Sequence, residues 1–407
     1  MEKILSGLRV LDFTDALVGP YCTRYLADCG CEIINLERPE GKVARFLPYL
    51  HKGLAAEFIM NHCGKKSVAI DLKAEGAREL VLKLVKVSDI VVENFRPGVM
   101  AGFGLDYDAL KEINPSIIMC SISGWGQAGP HADLMGVDLL VQAMRGIAHM
   151  SSEPHDRPRF VSFAATDVLT AVNAFGAICA ALYRRTITGK GEYIDLALAD
   201  CTLAGLGNAV GTHIFSKGKD EFRYMSGSFS PDISPCGAYK GQDGYIAIFC
   251  RTDIGWERLA DLMGSPELAA DPRFKANENR VKNNDEVTKL IEEWLANFEH
   301  VSDVAAILQS YRILAAPVLS LAQVIEEDPQ SKIREMIVDL EHPTFGPIKS
   351  LNTPLRFQNS KAYVEEPPPV EVGEHTEFTL RTILGLDNDE IDRLRKKGVV
   401  FGRRMKI

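Results

Sequence analysis

The stretch Leu8-Arg9-Val10-Leu11-Asp12-Phe13 begins the β–α–β pattern that determines the fold of this 407-residue chain. Its mostly apolar residues are typical of a buried strand. A helix is predicted after Gly19-Pro20, since proline fits the first turn of a helix. A second strand is predicted over Glu32-Ile33-Ile34-Asn35-Leu36. Two such strands joined by a helix indicate a parallel pair with a right-handed crossover.

The same alternation of strands and helices continues to about residue 125. Residues Lys73–Val87 form a predicted amphipathic helix, because five apolar residues recur at helical spacing: Ala77, Leu80, Val81, Leu84 and Val85. Strands are predicted over Asp89–Glu93 and Ser116–Ser123, separated by a short helix that ends at Asn114-Pro115. The pattern predicts an α/β fold, with a parallel sheet covered by helices on both faces.

The second half of the chain changes character after about residue 206. Before that point, an alanine-rich apolar helix is predicted over 164–185 and a strand over Tyr193–Leu198. Beyond it, an exposed strand is predicted over Gly244–Phe249 and charged helices over 253–309. A chain of this length ordinarily forms two domains, so this part is predicted to be a second, smaller one. Near the other end, Glu365-Glu366-Pro367-Pro368-Pro369 is typical of an extended linker, followed over 374–407 by a docking helix and a basic tail.

Composition restricts the possible functions. The chain carries 46 Lys and Arg against 55 Asp and Glu, a net charge of −9, which argues against general nucleic-acid binding. The longest mostly apolar stretch, Ala171–Tyr183, is shorter than the ~20 residues of a membrane span. Nine scattered cysteines without a C-x-x-C motif fit a reducing cytoplasm and indicate no metal site. We therefore expect a cytoplasmic protein with no metal, nucleic-acid or membrane partner.

Polar segments follow the predicted strands at the edge where parallel sheets bind ligands. They are Glu37-Arg38-Pro39, Asp71-Leu72-Lys73, Glu93-Asn94-Phe95-Arg96-Pro97-Gly98 and Gly124-Trp125-Gly126-Gln127. Each could simply be a surface loop that caps a helix, but together their cations and backbone amides favour an anion site. A nicotinamide dehydrogenase is disfavoured, because the first turn lacks the G-x-G-x-x-G motif. No Walker A or H-E-x-x-H motif occurs.

Asp167 lies in the first turn of the predicted apolar helix. An acidic residue there is favoured by the helix dipole, by ~0.3–1 kcal/mol, without any catalytic role. The histidines at 62, 131, 149 and 155 have no acidic or cysteine partners at suitable spacing, so triad and zinc sites are weakly supported. These residues alone indicate an α/β enzyme that binds an anionic ligand.

Taken in order, the motifs resemble the class III (formyl-CoA-type, CaiB/BaiF) coenzyme A-transferase family and its α-methylacyl-CoA racemase relatives. The resemblance extends over nearly the whole chain. Besides residues 7–13, 36–39, 92–98 and 121–130, it rests on Thr188-Gly189-Lys190-Gly191-Glu192-Tyr193-Ile194-Asp195 and Asp243-Gly244-Tyr245. It implies a CoA-transferase that moves coenzyme A from an acyl-CoA to a free carboxylic acid.

The resemblance also implies the site residues. Asp167 falls at the position of the family's nucleophilic aspartate, which forms an aspartyl anhydride and then an aspartyl-CoA thioester. The implied CoA contacts are Val18, Arg38, Leu72, Lys73, Asn94, Phe95, Arg96, Gly136, Val137 and Asp138. A phosphate-binding arginine that is usual in the family is missing here, and Gly102 stands near its place. The family's glycine-rich lid corresponds to residues 226–230, which hold one glycine.

By the same resemblance, residues 1–205 and 326–407 build a large Rossmann-like domain, and 206–325 a linker with a small α+β domain. Two chains are expected to form an interlocked homodimer. An α-methylacyl-CoA racemase is the alternative activity, although Gly136-Val137-Asp138 lacks the histidine that racemases carry before the aspartate. A non-catalytic acyl-CoA-binding protein is a third possibility, disfavoured by the presence of Asp167.

Overall fold

The computed structural model describes residues 1–152, 156–219, 223, 225 and 227–402. The chain divides into two compact units. The first comprises Met1–Arg145, Phe163–Gly205 and Pro329–Ile407, and the second comprises Gly146–Ser162 and Leu206–Asp328.

The strands follow one another along both units. In chain order they are β1 (Arg9–Asp12), β2 (Glu32–Glu37), β3 (Leu50–His51), β4 (Leu54–Ala55), β5 (Lys65–Ile70), β6 (Ile90–Glu93), β7 (Ile118–Ser123), β8 (Glu192–Ala197), β9 (Cys236–Lys240), β10 (Tyr245–Phe249), β11 (Leu314–Pro317), β12 (Ile337–His342), β13 (Gly346–Leu351) and β14 (Val400–Phe401).

Helices fill the connections between them. In the first unit they are α1 (Val18–Asp28), α2 (Ala56–Asn61), α3 (Ala77–Lys86), α4 (Val99–Gly102), α5 (Tyr107–Ile113), α6 (Asp138–Met144), α8 (Ala165–Thr188), α9 (Leu198–Gly205), α16 (Pro329–Ile333), α17 (Thr376–Thr382) and α18 (Asn388–Lys396). In the second they are α7 (Ile147–Met150), α10 (Gly207–Phe215), α11 (Asp253–Leu262), α12 (Asn277–Lys282), α13 (Asn284–Leu295), α14 (Val301–Ser310) and α15 (Leu321–Glu326).

A seven-stranded sheet in the order β14-β5-β2-β1-β6-β7-β8 forms the centre of the first unit. Six of the strands are parallel, as predicted. β2 and β5 follow on one side of β1, and β6, β7 and β8 follow on the other. The strand order therefore reverses between β1 and β6, which is where sheets of this type bind ligands. The edge strand β14 pairs antiparallel with β5, so the prediction of only a helix and tail over 374–407 was incomplete. Residues 403–407 of that predicted tail lie outside the described residues.

Both faces of this sheet are buried, because alternate strand residues pack into two apolar cores. On one face, Leu11 and Ile34 pack with residues of α3. On the other, Val10 and Ile33 pack with residues of α1 and α8. This arrangement confirms the prediction of a parallel sheet covered on both sides.

The second unit contains an antiparallel sheet in the order β11-β10-β9, packed with helices α11, α13 and α14. The prediction of an exposed strand over 244–249 was wrong in part. β10 is the central strand, and Ile246 and Ile248 are buried in the core of this unit, while the intervening Ala247 is exposed. Alternate apolar residues on one face explain the burial.

Helix α8 is longer than predicted, and among the described residues it is the one helix long and apolar enough to cross a membrane. Length and composition alone support that reading, and a core helix of a soluble protein satisfies the same criterion. Ala171, Ala174 and Ile178 of this helix are fully buried beside α1. One face of α8 therefore packs in the core of the first unit, and its first turn carries Asp167.

Candidate active site

A cavity of about 140 Å³ lies at the carboxyl ends of the central strands of the first unit. Its walls come from residues 16–18 after β1, residues 94–97 after β6, and residues 122–124 at the end of β7. Ala132, Leu134, residues 136–137, Asp167 and Leu198 complete the lining. The cavity thus lies at the reversal of strand order, where the fold favours ligand binding.

The turn between β1 and α1 is held by the side chain of Asn94. Its Oδ1 accepts a hydrogen bond from Asp15 N at 2.9 Å, and its Nδ2 donates one to Asp15 O at 2.8 Å. The carboxylate of Asp15 in turn accepts from the backbone N–H groups of Val43 and Ala44. Asn94, predicted to contact CoA, therefore lines the cavity while its amide is used to fix the turn.

A buried ion pair that the sequence did not reveal anchors α1 to the end of β1. Asp12 and Lys65 are both fully buried, with 3.2 Å between Oδ2 and Nζ, and Thr23 donates to the same carboxylate oxygen. Burial would raise the pKa of Asp12, but the charges of Lys65 and Lys42 lower it to about 2. The pair is ionised at neutral pH and holds the helix that begins at the cavity.

Asp167 is the third residue of α8 and lines the cavity. Burial raises the pKa of its carboxyl to about 7, and the negative charges of Asp138 and Glu57 add to the effect. A carboxyl of this kind is a stronger nucleophile than an exposed aspartate, because a higher pKa means a more basic oxygen once it is ionised.

Asp138, the first residue of α6, does not line the cavity but holds the first turn of α8. Its Oδ1 accepts from Thr166 N at 2.8 Å and from Thr166 Oγ1 at 2.7 Å. Its Oδ2 accepts from Gln142 Nε2 at 2.6 Å. Thr166 directly precedes Asp167 and is fully buried. Asp138 was predicted to contact CoA, and in the structure its carboxylate instead accepts hydrogen bonds that hold Thr166, the residue before Asp167.

The loop before α6 approaches the end of β7 so closely that two glycines are required. A Cβ built on Gly136 would lie 2.2 Å from Gly124 Cα, and a Cβ on Gly124 would lie 2.3 Å from Gly136 Cα. No side chain fits at such distances. This contact brings Gly136 and Val137, both predicted CoA contacts, to the wall of the cavity.

Arg38, Leu72 and Lys73 lie outside the cavity, at the carboxyl ends of β2 and β5. Arg38 and Lys73 are exposed, and Leu72 packs partly buried against the core. Neighbouring strands are ~4.8 Å apart, so β5 ends roughly 10 Å from β1 along the same edge of the sheet. Arg96 is an exposed cation on the cavity wall, without an ion-pair partner among the described residues. The cations predicted to hold the nucleotide therefore share one edge.

The other predicted features have simpler outcomes. Gly102 has open space around it, and the cation Arg145 has its guanidinium 5.0 Å from the ring centre of Trp125. Within the described part of the chain, no group of His, Cys, Asp and Glu is arranged to hold a metal. His155 and Ser226 lie outside the described residues, and residues 227–230 of the predicted lid belong to the second unit.

Comparisons with known proteins agree with this architecture. The family model described as CoA-transferase family III matches residues 5–376. Succinate–glutarate CoA-transferase of Agrobacterium fabrum is 33% identical over 91% of this chain and 93% of its own. Succinyl-CoA:glutarate CoA-transferase of Homo sapiens is 32% identical over 98% of this chain and 90% of its own. The crystal structure of a CAIB/BAIF family protein from Brucella suis is 36% identical, with a TM-score of 0.85 over 94% of this chain and all of that one.

The chain belongs to CoA-transferase family III. It is an acyl-CoA:carboxylate CoA-transferase, and a CoA thioester is its co-substrate.

Proposed function

We propose that this transferase acts through covalent intermediates on Asp167. The ionised carboxylate attacks the thioester carbonyl of an acyl-CoA, the C–S bond breaks, and a mixed anhydride and the CoA thiolate form. The thiolate then attacks the aspartyl carbonyl, which releases the donor acid and leaves an aspartyl-CoA thioester. The acceptor carboxylate attacks that thioester to form a second anhydride, and the returning thiolate takes the acceptor acyl group and restores Asp167.

The position of Asp167 carries this proposal. Its carboxyl lines a small cavity rather than open solvent, and an anhydride survives only where water is restricted. The cavity can hold the thioester end of acyl-CoA but is smaller than the ~300 Å³ typical of sites that enclose a whole ligand. The nucleotide would therefore lie along the open edge of the sheet.

We propose two groups of CoA contacts on this basis. Val18, Phe95 and Arg96, with the backbone of Gly136 and Val137, would hold the pantetheine and thioester. Arg38 and Lys73, beside Leu72, would hold phosphate groups, since both side chains are exposed cations at the same edge. The net charge of −9 makes such a local cluster necessary for an anionic ligand.

A racemase is not favoured. Proton exchange at the α-carbon needs an acid–base group on each face, and Val137 occupies the place of the second group. The names of the relatives mention succinate and glutarate, so a short carboxylic acid is the proposed acceptor class. We further propose a cytoplasmic, interlocked homodimer, in which the exposed apolar side chains of α8, such as Tyr183 and Ile187, would be covered.

The proposal is tested by Asp167→Ala and Asp167→Asn. Both should lose CoA transfer by well over ~10³-fold, because each removes the nucleophile, while CoA binding stays within a few-fold of wild type. Binding is measured by calorimetry with CoA, and transfer by mass spectrometry of CoA esters with a panel of carboxylates. Asp133→Asn is the control: Asp133 is an exposed residue in the loop before α6, and this variant should keep wild-type turnover. Wild-type turnover in either Asp167 variant would refute the mechanism.

A further inference from the structure

Two strands of the central sheet end in a buried glutamate, and the two glutamates have different surroundings. Glu37 ends β2 and Glu93 ends β6, and they are only 3% and 4% exposed. Glu37 is paired with Arg45, whose Nε and Nη2 each donate at 2.7 Å. No ion pair involves Glu93 within the described residues. The second glutamate therefore needs another explanation for its burial, since a buried carboxylate without a cation is costly.

Glu93 is the first member of a row of polar residues across three strands. It is in register with Ser121 of β7, which is in register with Asp195 of β8. Side chains in register on neighbouring parallel strands point to the same face of the sheet. The hydroxyl of Ser121 hydrogen-bonds to Glu93, and Oδ2 of Asp195 accepts from Gln127 N at 3.2 Å. The row thus connects Glu93 to a second, exposed carboxylate.

The carboxyl of Glu93 also holds the backbone of the cavity wall. Its Oε2 accepts a hydrogen bond from Phe95 N at 2.8 Å, and Phe95 belongs to the segment 94–97 that lines the cavity. Asn94, one residue earlier, is tied to Asp15. We propose that Glu93 is a positioning residue that holds the segment 94–97 in the conformation that binds acyl-CoA. This inference rests on the proposed CoA site.

We expect Glu93 to perform this role best in its neutral form, which predominates below about pH 7. Burial raises its pKa to about 7, and the charge of Asp195 adds to the effect, although the hydrogen bonds from Ser121 and Phe95 oppose it. The other titratable groups that face it are Cys120 of β7 and Tyr193 of β8. Acyl-CoA is anionic and would cover the segment above Glu93, so it should bind the neutral form more tightly. Binding should therefore weaken as the pH rises above about 7.

This pH dependence is opposite to that of Asp167, so the two can be separated. Asp167 must be ionised to attack, which makes kcat fall below about pH 7. Ionisation of Glu93 instead raises KM for acyl-CoA above that pH, by up to ~10-fold per pH unit for a single proton. The acid side of the pH profile therefore appears in kcat, and the alkaline side appears in KM for acyl-CoA.

The test uses the full chain with Glu93→Gln, Glu93→Ala and Asp195→Asn, measuring kcat, KM for acyl-CoA and CoA binding between pH 6 and 9. Gln keeps an acceptor for Phe95 N and cannot ionise, so KM should stay within ~3-fold of the wild-type pH 6 value throughout. Ala removes the acceptor, so KM should rise ~10-fold or more at every pH. Asp195→Asn removes the neighbouring charge, and the alkaline rise in KM should move to lower pH.

Several results would overturn the inference. One is a Gln variant that retains the alkaline rise, another is a Gln variant as impaired as Ala at pH 6, and a third is an unshifted rise in Asp195→Asn. Glu112→Gln, an exposed charge on α5, is the control and should match wild type. Arg96→Ala tests the proposed CoA site itself. If Arg96→Ala leaves CoA binding unchanged, the proposed CoA site is wrong. If Arg96→Ala weakens CoA binding but the Glu93 variants behave like wild type, only the inference about Glu93 is rejected.

Discussion

Replacing Asp138 should separate the positioning of Asp167 from the tuning of its pKa. Three hydrogen bonds end on the Asp138 carboxylate, two from Thr166 and one from Gln142, and both donor residues are buried. Asp138→Ala removes the acceptor of all three hydrogen bonds and leaves the N–H and hydroxyl of Thr166 buried without it, and each buried unsatisfied group costs ~1–3 kcal/mol. We expect a loss of at least ~2 kcal/mol in the free energy of unfolding, together with a lower kcat, since the first turn of α8 loses its anchor.

Asp138→Asn should behave differently. The amide oxygen can still accept from Thr166, so we expect a stability loss of only ~1 kcal/mol. The charge that helps to raise the pKa of Asp167 is gone, so the pH below which kcat falls should move downward from about 7. Burial, the largest cause of the raised pKa, remains, so the shift is partial.

Urea unfolding and kcat between pH 5 and 9 measure the two effects. Asp133→Asn removes an exposed charge of the preceding loop and should change neither. The reasoning fails if Asp138→Ala has wild-type stability and kcat, or if the acid limb of Asp138→Asn coincides with that of wild type.

The remaining predictions concern pH, packing and assembly. In wild type, kcat should fall ~10-fold per unit below about pH 7 as Asp167 is protonated; a flat profile down to pH 5 would contradict the assignment. Gly136→Ala should lower Tm by several degrees and impair transfer, because the new Cβ meets Gly124 at 2.2 Å, whereas Gly102→Ala, with open space around it, should be neutral in calorimetry. Light scattering should show a dimer at micromolar concentration, and a folded species of about 44.9 kDa would contradict the interlocked assembly.

The sequence predicted the sheet well because its signals are local. The β1–α1–β2 pattern and the helical periodicity before Val87 require no knowledge of distant residues. β14 was missed because two residues at a sheet edge carry no periodicity, and their pairing with β5 depends on the whole fold. β10 was misjudged because the helices α11, α13 and α14, which bury Ile246 and Ile248, and the partner strand β11 follow β10 only later in the sequence.

The site shows the same limit. The resemblance selected Asp167 and the segment 94–97, and the structure brings both to one cavity. What each side chain bonds to could not be predicted, because Asn94 and Asp138 find their partners through tertiary contacts with Asp15 and Thr166. The raised pKa of Glu93 likewise depends on the burial of its carboxyl in the folded sheet, a property no local pattern encodes.

The most direct measurement traps the acyl group on the enzyme. Wild-type protein is incubated with an acyl-CoA and hydroxylamine, digested, and analysed by peptide mass spectrometry. Hydroxylamine cleaves an aspartyl anhydride or thioester and leaves a hydroxamate on the side chain. The proposed mechanism predicts the hydroxamate on the peptide that carries Asp167, and none in Asp167→Asn. Wild-type turnover with a label confined to a cysteine peptide, or with no labelled peptide, would contradict it.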